Sequence, residues 1–302
     1  MSPILLFTYK RFDALKKTIE ALAANELATQ SDLYIFSDGA KSEKDQKAIQ
    51  EVRAYLKTVK GFKTISIKES KTNKGLANSI ISGVSEVMKA SDRVIVMEDD
   101  LLTTPNFLMF MNKALENYEN EQKVFSISGY SMNLGHKNQN PNDTYFLNRG
   151  WSWGWATWKT RWQDVDWDMK DYDSFKKDKT RKKEFAKGGS DLNKMLRNQM
   201  DGALDSWAIR WLYQQHKVKG LSLYPVYSKV YNIGFDANAT HTTGSNKRFL
   251  PILDENFGHD IIFPDAITLN LEKQKAFLKV MSVQSRIRAK FDSLAQNIFG
   301  KK

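Results

Sequence analysis

Arg93-Val94-Ile95-Val96-Met97-Glu98-Asp99-Asp100-Leu101-Leu102-Thr103-Thr104-Pro105 is the stretch around which this 302-residue chain is organised. Residues 94–97 form an unbroken apolar run without polar alternation, the pattern of a strand buried on both faces in a parallel sheet. Three carboxylates follow at once. Taking a charge out of water is costly unless a partner or a metal compensates, so an acidic triplet at the end of a core strand calls for a chemical reason. Open α/β sheets bind ligands at the carboxyl ends of their strands, where Glu98, Asp99 and Asp100 fall. Their hard oxygens suit Mg²⁺ or Mn²⁺, whose natural co-ligand is a diphosphate; the alternative is a solvated acidic turn. Thr104 and Pro105 read as the N-cap and first-turn proline of a helix reaching about residue 118.

Upstream, the same unit repeats. Residues 4–9 are an apolar strand, and Arg11-Phe12-Asp13 leads into a helix with Leu15, Ile19 and Leu22 on one face. Residues 32–37 form a second strand ending in Asp38-Gly39. The helix over about 42–59 carries Ile49, Val52, Leu56 and Val59 at helical spacing. Residues 64–68 alternate as a third strand, and Asn73-Lys74-Gly75 opens a helix that buries Leu76, Ile80, Val84 and Val87. Four successive strand-then-helix units predict an α/β fold: a doubly wound parallel sheet with right-handed crossovers. Thr8-Tyr9-Lys10-Arg11 stands where a dinucleotide-binding enzyme has its glycine fingerprint, and Asn73-Lys74-Gly75 lacks the glycine loop of a Walker motif. Neither class is therefore expected.

Downstream the pattern changes. Residues 124–130 are a strand and 133–143 a polar loop. Trp151, Trp153, Trp155, Trp158 and Trp162 then place five indoles in twelve residues, with Gly154 among them. Such a group is either a core wedge or a wall for stacking sugars, since an indole face suits the apolar face of a pyranose. Residues 176–187 are basic and end in Gly188-Gly189, a solvated helix and hinge or a lid over a diphosphate. Residues 191–215 read as helical with a break near Gly202, and contain Asp201 and Asp205. One or two strands surround Pro225, and Asn232-Ile233-Gly234 leads through a loop to His241. From Leu271 onward, eight Lys or Arg face only Glu272 and Asp292. Phe277, Met281, Ile287, Phe291, Leu294 and Ile298 share one stripe, expected of a helix that packs on the domain or rests on anionic lipid.

A hydrophobic content of 41% supports a substantial core, and the absence of cysteine rules out disulfides and thiolate metal sites. The net charge of +11 points to an anionic partner. No zinc-finger spacing or RNP-type run is present, so nucleic acid is not the expected partner. Without a membrane-length apolar run or signal-peptide core, the expected location is cytoplasmic or peripheral on the inner face of the membrane.

Taken in order, residues 4–11, Ser37-Asp38-Gly39, Asn73-Lys74-Gly75-Leu76, residues 94–101, residues 150–158, Asp205-Ser206-Trp207 and Asn232-Ile233-Gly234 resemble the GT-A glycosyltransferases. The similarity is to the inverting group that includes animal N-acetylglucosaminyltransferase I and bacterial family-2-like sugar transferases, and it spans roughly residues 1–245. It implies a GT-A fold, Rossmann-like, with a mostly parallel twisted sheet and helices on both faces. It implies a nucleotide-sugar-binding half (1–130), an acceptor-binding and catalytic-base half (131–265), and a C-terminal basic amphipathic helix (266–302). The implied reaction is metal-dependent inverting transfer in polysaccharide biosynthesis. The donor is a UDP-sugar, with UDP-N-acetylglucosamine or a related hexosamine favoured, and the acceptor is a hydroxyl of a glycan or lipid-linked saccharide.

Residue by residue, Asp100 matches the last acid of the DXD-type motif, which binds Mn²⁺ or Mg²⁺, and Glu98 and Asp99 would face ribose and sugar hydroxyls. Asp38 matches the uracil-reading carboxylate, Thr8 and Arg11 the loop around the nucleotide, and Lys74 a phosphate neutraliser; a cap or surface charge is the alternative for Asp38, Lys74 and the Thr8–Arg11 loop. Asp205 matches the general base. Asp201 is the fallback, expected on the same helical face at i and i+4. His241 would complete the metal shell, and Trp151, Trp153 and Trp207 would form the sugar-stacking wall. Lacking a membrane anchor and carrying the basic C-terminal helix, the chain departs from the animal enzyme, which argues against a secreted-glycoprotein acceptor. Two other readings are a sugar-1-phosphate nucleotidyltransferase, whose glycine-rich basic loop is missing after the first strand, and a catalytically silent sugar-nucleotide or glycan-binding module.

Overall fold

Strands β1 (Ile4–Thr8), β2 (Asp32–Ser37), β3 (Thr64–Glu69) and β4 (Arg93–Glu98) alternate with helices α1 (Phe12–Ala23), α2 (Glu43–Leu56) and α3 (Leu76–Val87) in a computed structural model. The structure describes residues 1–135, 140, 143–234, 247–258 and 260–289. These four strands are parallel in the order β3-β2-β1-β4. The apolar run at Val94, Ile95, Val96 and Met97 is fully buried because both sheet faces are covered. Ile4, Leu6, Ile95 and Met97 pack on one face against Leu15, Ile19 and Leu22 of α1. Leu5, Phe7, Val94 and Val96 pack on the other against Ala77, Ile80 and Val84 of α3. Each such aliphatic side chain contributes about 1.5–3 kcal/mol by leaving water.

Beyond β4 the chain forms β5 (Leu101–Thr103), α4 (Phe107–Asn117), β6 (Val124–Ser128), β7 (Thr144–Leu147) and β8 (Trp155–Trp158). Short helices α5 (Lys159–Trp162), α6 (Tyr172–Phe175) and α7 (Lys179–Phe185) precede α8 (Leu192–Met200) and α9 (Trp207–Lys217), followed by β9 (Leu221–Pro225), β10 (Val230–Asn232) and α10 (Leu271–Val280). The eight-stranded sheet has the order β3-β2-β1-β4-β8-β6-β9-β7, and β5 pairs separately with β10. Parallel pairing holds throughout the first four strands. The second half is mixed, since β8 runs antiparallel to both β4 and β6, and β7 antiparallel to β9. An antiparallel strand begins where its parallel neighbour ends, so the segment leading into β8 emerges beside the carboxyl end of β4.

Three local expectations need correction. The helix expected to open at Thr104 and Pro105 begins at Phe107, with Asn106 at its N-cap, because β5 intervenes and its pairing with β10 holds residues 101–103 extended. Asp201 and Asp205 do not share a helical face. Asp201 caps the end of α8, Gly202 at φ +73° breaks the helix, and Asp205 precedes the N-cap Ser206 of α9. The C-terminal helix is interrupted at Met281 and Ser282, and Phe277 and Met281 are buried in the domain's own core, so that part of the stripe is unavailable to lipid. Phe291, Leu294 and Ile298 lie outside the described residues.

Candidate active site

Chain order reverses between β1 and β4, since β1 crosses over to β2 on one side and β3 to β4 on the other. The crevice at such a switch point is where doubly wound sheets bind ligands. Thr8, Tyr9 and Arg11 line it from β1, and Glu98, Asp99 and Asp100 from β4.

The three acids have different surroundings. Asp99 has both carboxylate oxygens engaged: Oδ2 accepts from Thr8 Oγ1 (2.9 Å) and Tyr9 N (3.1 Å), and Oδ1 from Arg11 Nη2 (2.9 Å). Its carbonyl accepts from Thr18 Oγ1 at 3.0 Å, so Asp99 and Thr8 together fasten the β1–α1 loop to the end of β4. Asp100 Oδ2 accepts from the same Arg11 Nη2 at 2.6 Å, while Oδ1 is buried without a partner. Glu98 is crowded by protein, although the residue keeps some accessible surface; burial, with Asp100 and Asp99 adding repulsion, pushes its carboxyl up to about 8. Burial also raises Asp100, against the pull of Arg11. For Arg11, burial works against the charge, but Asp99 and Asp100 outweigh it and hold the guanidinium above its ordinary value.

Gly234 closes the far side. Ile233 N donates to the Asp100 carbonyl at 2.9 Å, continuing the β5–β10 ladder. A Cβ at Gly234 would lie 1.9 Å from Asp100 Oδ2, so only glycine lets this backbone lie against the carboxylate.

Asp38 shapes the adjoining rim. Its oxygens accept from Gly39 N (2.9 Å), Asn73 Nδ2 (3.1 Å), Lys74 N (2.9 and 3.1 Å) and Gly75 N (3.0 Å). The carboxylate therefore folds residues 73–75 into the turn that starts α3, the cap-like alternative read from the sequence. Arg53 fixes the same corner by donating to the carbonyls of Ser37 (3.3 Å), Asp38 (3.2 Å) and Ser70 (2.7 Å). Lys74 is exposed on this turn. Asp205, also exposed, lies against it: its Oδ2 is 3.1 Å from where a Gly75 Cβ would stand. Asp205 and Asp38 thus meet the same short turn, although they are far apart in sequence.

The tryptophans divide. Trp155, Trp158, Trp162 and Trp207 are buried. Trp207 stacks on Trp155 at 4.7 Å, so its ring is covered by the core and cannot serve as the sugar-facing surface expected of it. Trp151 and Trp153 are half-buried, 5.5 Å apart and edge to face, with Tyr130 4.6 Å from Trp153. They lie in the segment before β8 that emerges beside β4. Behind them α10 acts as a buttress: Phe277 meets Trp151 edge-on at 6.2 Å, and Gln274 donates to the Lys187 carbonyl at 3.1 Å. The basic stretch expected as hinge or lid is anchored, since Phe185 is buried against Tyr213 and Arg181 pairs with Asp171 at 2.6 Å.

His241 lies outside the described residues. Among the described residues no three acids or histidines gather into a ready-made metal cage. Asp100 Oδ1 nevertheless fits a divalent cation: it is a hard anionic oxygen without a protein partner. Two contributors were not read from the sequence as site residues. Gly234 had a visible signal in Asn232-Ile233-Gly234, whereas Arg53 had none; the buried Lys229–Asp254 pair, to which Asn106 Nδ2 donates at 2.9 Å, was also unread and lies under the start of α4. A cavity of about 390 Å³ beside β7 shares no lining residue with this cluster.

The sequence profile of glycosyl transferase family 2 matches residues 4–177, more than half of the chain. No curated protein matches it. Among solved structures it aligns with the mannosyltransferase PcManGT from Pyrobaculum calidifontis in complex with GDP-Man and Mn²⁺, at 9% identity over 53% of this chain and 46% of that one, with a TM-score of 0.36. It aligns with S. aureus TarS 1-349 at 12% identity over 55% and 50% of the two chains, with a TM-score of 0.37. A second structure of TarS 1-349, in complex with UDP, aligns at 12% identity over 47% and 39%, with a TM-score of 0.32. The alignments span half or less of the length of these proteins.

Proposed function

Because the chain belongs to glycosyl transferase family 2, we propose that it moves a sugar from a nucleoside diphosphate, UDP by preference, to a hydroxyl of a glycan or lipid-linked saccharide, with inversion at the anomeric carbon. UDP-N-acetylglucosamine or a related hexosamine is the favoured donor, on the resemblance to N-acetylglucosaminyltransferase I alone. The observation that carries the reading is the unpartnered buried oxygen of Asp100 at the β1/β4 crevice, beside acids whose lone pairs are otherwise occupied or crowded.

In this reading Asp100 holds Mn²⁺ or Mg²⁺, with His241 as a second ligand. Such a cation, when bound, offsets the charge that a departing diphosphate acquires. Arg11 neutralises the paired acids and Lys74 faces the phosphates. Asp38 and Asp99 act chiefly by holding the two loops that receive the nucleotide, Thr8 through its bond to Asp99, and Glu98 faces the donor sugar. The acceptor hydroxyl, held against Trp151 and Trp153, attacks the anomeric carbon while the bond from that carbon to the diphosphate oxygen breaks. The hydroxyl proton passes to the Asp205 carboxylate, and the electron pair leaves on the diphosphate. The division of labour is a donor half over 1–130 and an acceptor half over 131–265, with α10 behind the aromatic wall and the basic region 266–302 available to an anionic membrane surface. Among the described residues no helix is long and apolar enough to cross a membrane.

A panel of nucleotide sugars screened by thermal stabilisation, with and without Mn²⁺, tests the donor site. Asp100→Ala is expected to abolish the Mn²⁺-dependent shift. Asp205→Asn is expected to keep the shift and lose transfer; full turnover by that variant would reassign the base.

A further inference from the structure

Behind the aromatic wall lies a set of cations that the transfer step leaves unused. Arg149 is 5% exposed and pairs with Asp191 at two points, Nη1 to Oδ1 at 2.9 Å and Nη2 to Oδ2 at 3.0 Å. Arg286, from the segment after α10, approaches the same carboxylate at 3.9 Å. Its Nη1 also donates to the Met281 carbonyl at 3.4 Å, which in turn accepts from Ser190 Oγ at 3.1 Å. Arg248 stands over Phe249 at 4.3 Å, and that ring lies 5.9 Å from Trp151, which brings Arg248 within electrostatic reach of all three. Burial draws its guanidinium below the ordinary value, Asp191 opposes that, and Arg286 and Arg149 reinforce it. Among the described residues Arg248 forms no ion pair, so three guanidiniums share one carboxylate.

The cluster also has donors to spare. Arg149 Nε, Arg248 Nη1 and the Trp151 indole Nε1 are all buried without a hydrogen-bond partner. Surplus positive charge together with several orphaned donors is costly unless an anion completes them. Guanidinium forks match the oxygens of phosphate and carboxylate. Arg149 stands over the Trp151 ring at 5.6 Å, so the cationic cluster continues the wall that begins at Trp153 beside β4.

We propose that Arg149, Arg248, Arg286 and Trp151 bind an oxyanion carried by the acceptor, a phosphoryl or carboxylate group, while the saccharide lies across Trp153 and Trp151. The word acceptor rests on the transferase reading; binding of the anion does not. Asp191 is then a positioning residue that holds the Arg149 fork, and the C-terminal segment contributes a ligand through Arg286.

The test is a calorimetric titration of the full chain with inorganic phosphate and with glucuronate, with glucose as the neutral control and tryptophan fluorescence followed in parallel. One or both anions are expected to bind where glucose does not. Arg248→Gln and Arg286→Gln should each weaken binding by about tenfold or more, the loss of one charge-assisted hydrogen bond. Arg11→Gln in the donor crevice should change it by less than about twofold. Tighter phosphate assigns a phosphate-bearing acceptor, and tighter glucuronate a uronate-bearing one; either supports the site. Unchanged affinity in both arginine variants, loss in Arg11→Gln instead, or no binding of either anion at tens of millimolar would overturn it. Should Arg248→Gln not fold, Arg286→Gln against Arg286→Lys decides alone, since that side chain is 29% exposed. Failure of Mn²⁺-dependent nucleotide binding would leave this titration untouched, so the two readings can fail separately.

Discussion

Gly234→Ala adds one methyl group where the Asp100 carboxylate already stands. The new carbon would lie 1.9 Å from Asp100 Oδ2, 2.7 Å from its Cγ and 3.0 Å from Arg11 Nη1. Carbon and oxygen settle at about 3.3 Å, so the carboxylate or the backbone must retreat by about 1.4 Å. Neither moves freely. Asp100 Oδ2 is held by Arg11 at 2.6 Å, and its carbonyl by Ile233 N at 2.9 Å. Overpacking of this kind costs about 1–3 kcal/mol. Parting the Arg11–Asp100 pair adds about 3 kcal/mol, the lower end of what breaking a buried pair costs because Arg11 keeps Asp99, so the total is roughly 4–6 kcal/mol. For a chain of this size that corresponds to a fall of about 6–10 °C in Tm. Thermal melting measures the first effect, and calorimetric titration of UDP with Mn²⁺ is expected to show lost binding. In an Asp100→Ala background the obstacle is gone, and the same substitution should cost less than about 1 kcal/mol. Gly234→Ala melting within about 1 °C of the parent, or costing the same in both backgrounds, would refute the steric argument.

Three further outcomes are expected. Glu98 stays protonated to about pH 8 in the folded chain against about 4.5 unfolded; the native state therefore holds the extra proton between those values, and stability falls as pH rises through that window and levels off above it. Melting curves across this range should show a shallower decline in Glu98→Gln, and an unchanged slope would count against burial as the cause. Lys229→Met should cost about 3–5 kcal/mol in a denaturant titration by stranding the buried Asp254 carboxylate, whereas Lys229→Met with Asp254→Leu should recover most of it. Trp207→Ala should destabilise by about 3–5 kcal/mol, while Trp153→Ala should lower acceptor affinity with little change in Tm, a contrast that separates core from wall.

The first four strand-helix units were legible because their signals are local: continuous apolar runs for strands covered on both faces, and three-to-four-residue spacing for helices. The acidic triplet was legible for the same reason. What followed it was not. Strand β5 is three residues long, and its partner β10 lies far along the chain, so nothing near Leu101 announces the pairing. Asp38 reads as a ligand because its donors, the amides of Lys74 and Gly75, come from a distant turn. Trp207 and Trp153 are the same residue type in similar sequence surroundings, and only tertiary packing sends one under Trp155 and leaves the other half-exposed. The stripe of α10 was visible, but not its cover: Phe277 turns inward on Trp151. The break near Gly202 was visible, but not that its left-handed φ of +73° takes Asp201 and Asp205 off a common helical face.

The reversed direction of β8 has a consequence for how such a chain diversifies. The loops after β1, β2 and β4 hang from strands that finish at the crevice, whereas the aromatic loop is an entrance to a strand that starts there. Changes at the half-buried Trp151 and Trp153 therefore leave the loops after β1, β2 and β4 in place. On the proposed reading, a lineage built on this plan can retune what receives the sugar while inheriting intact the machinery that delivers it.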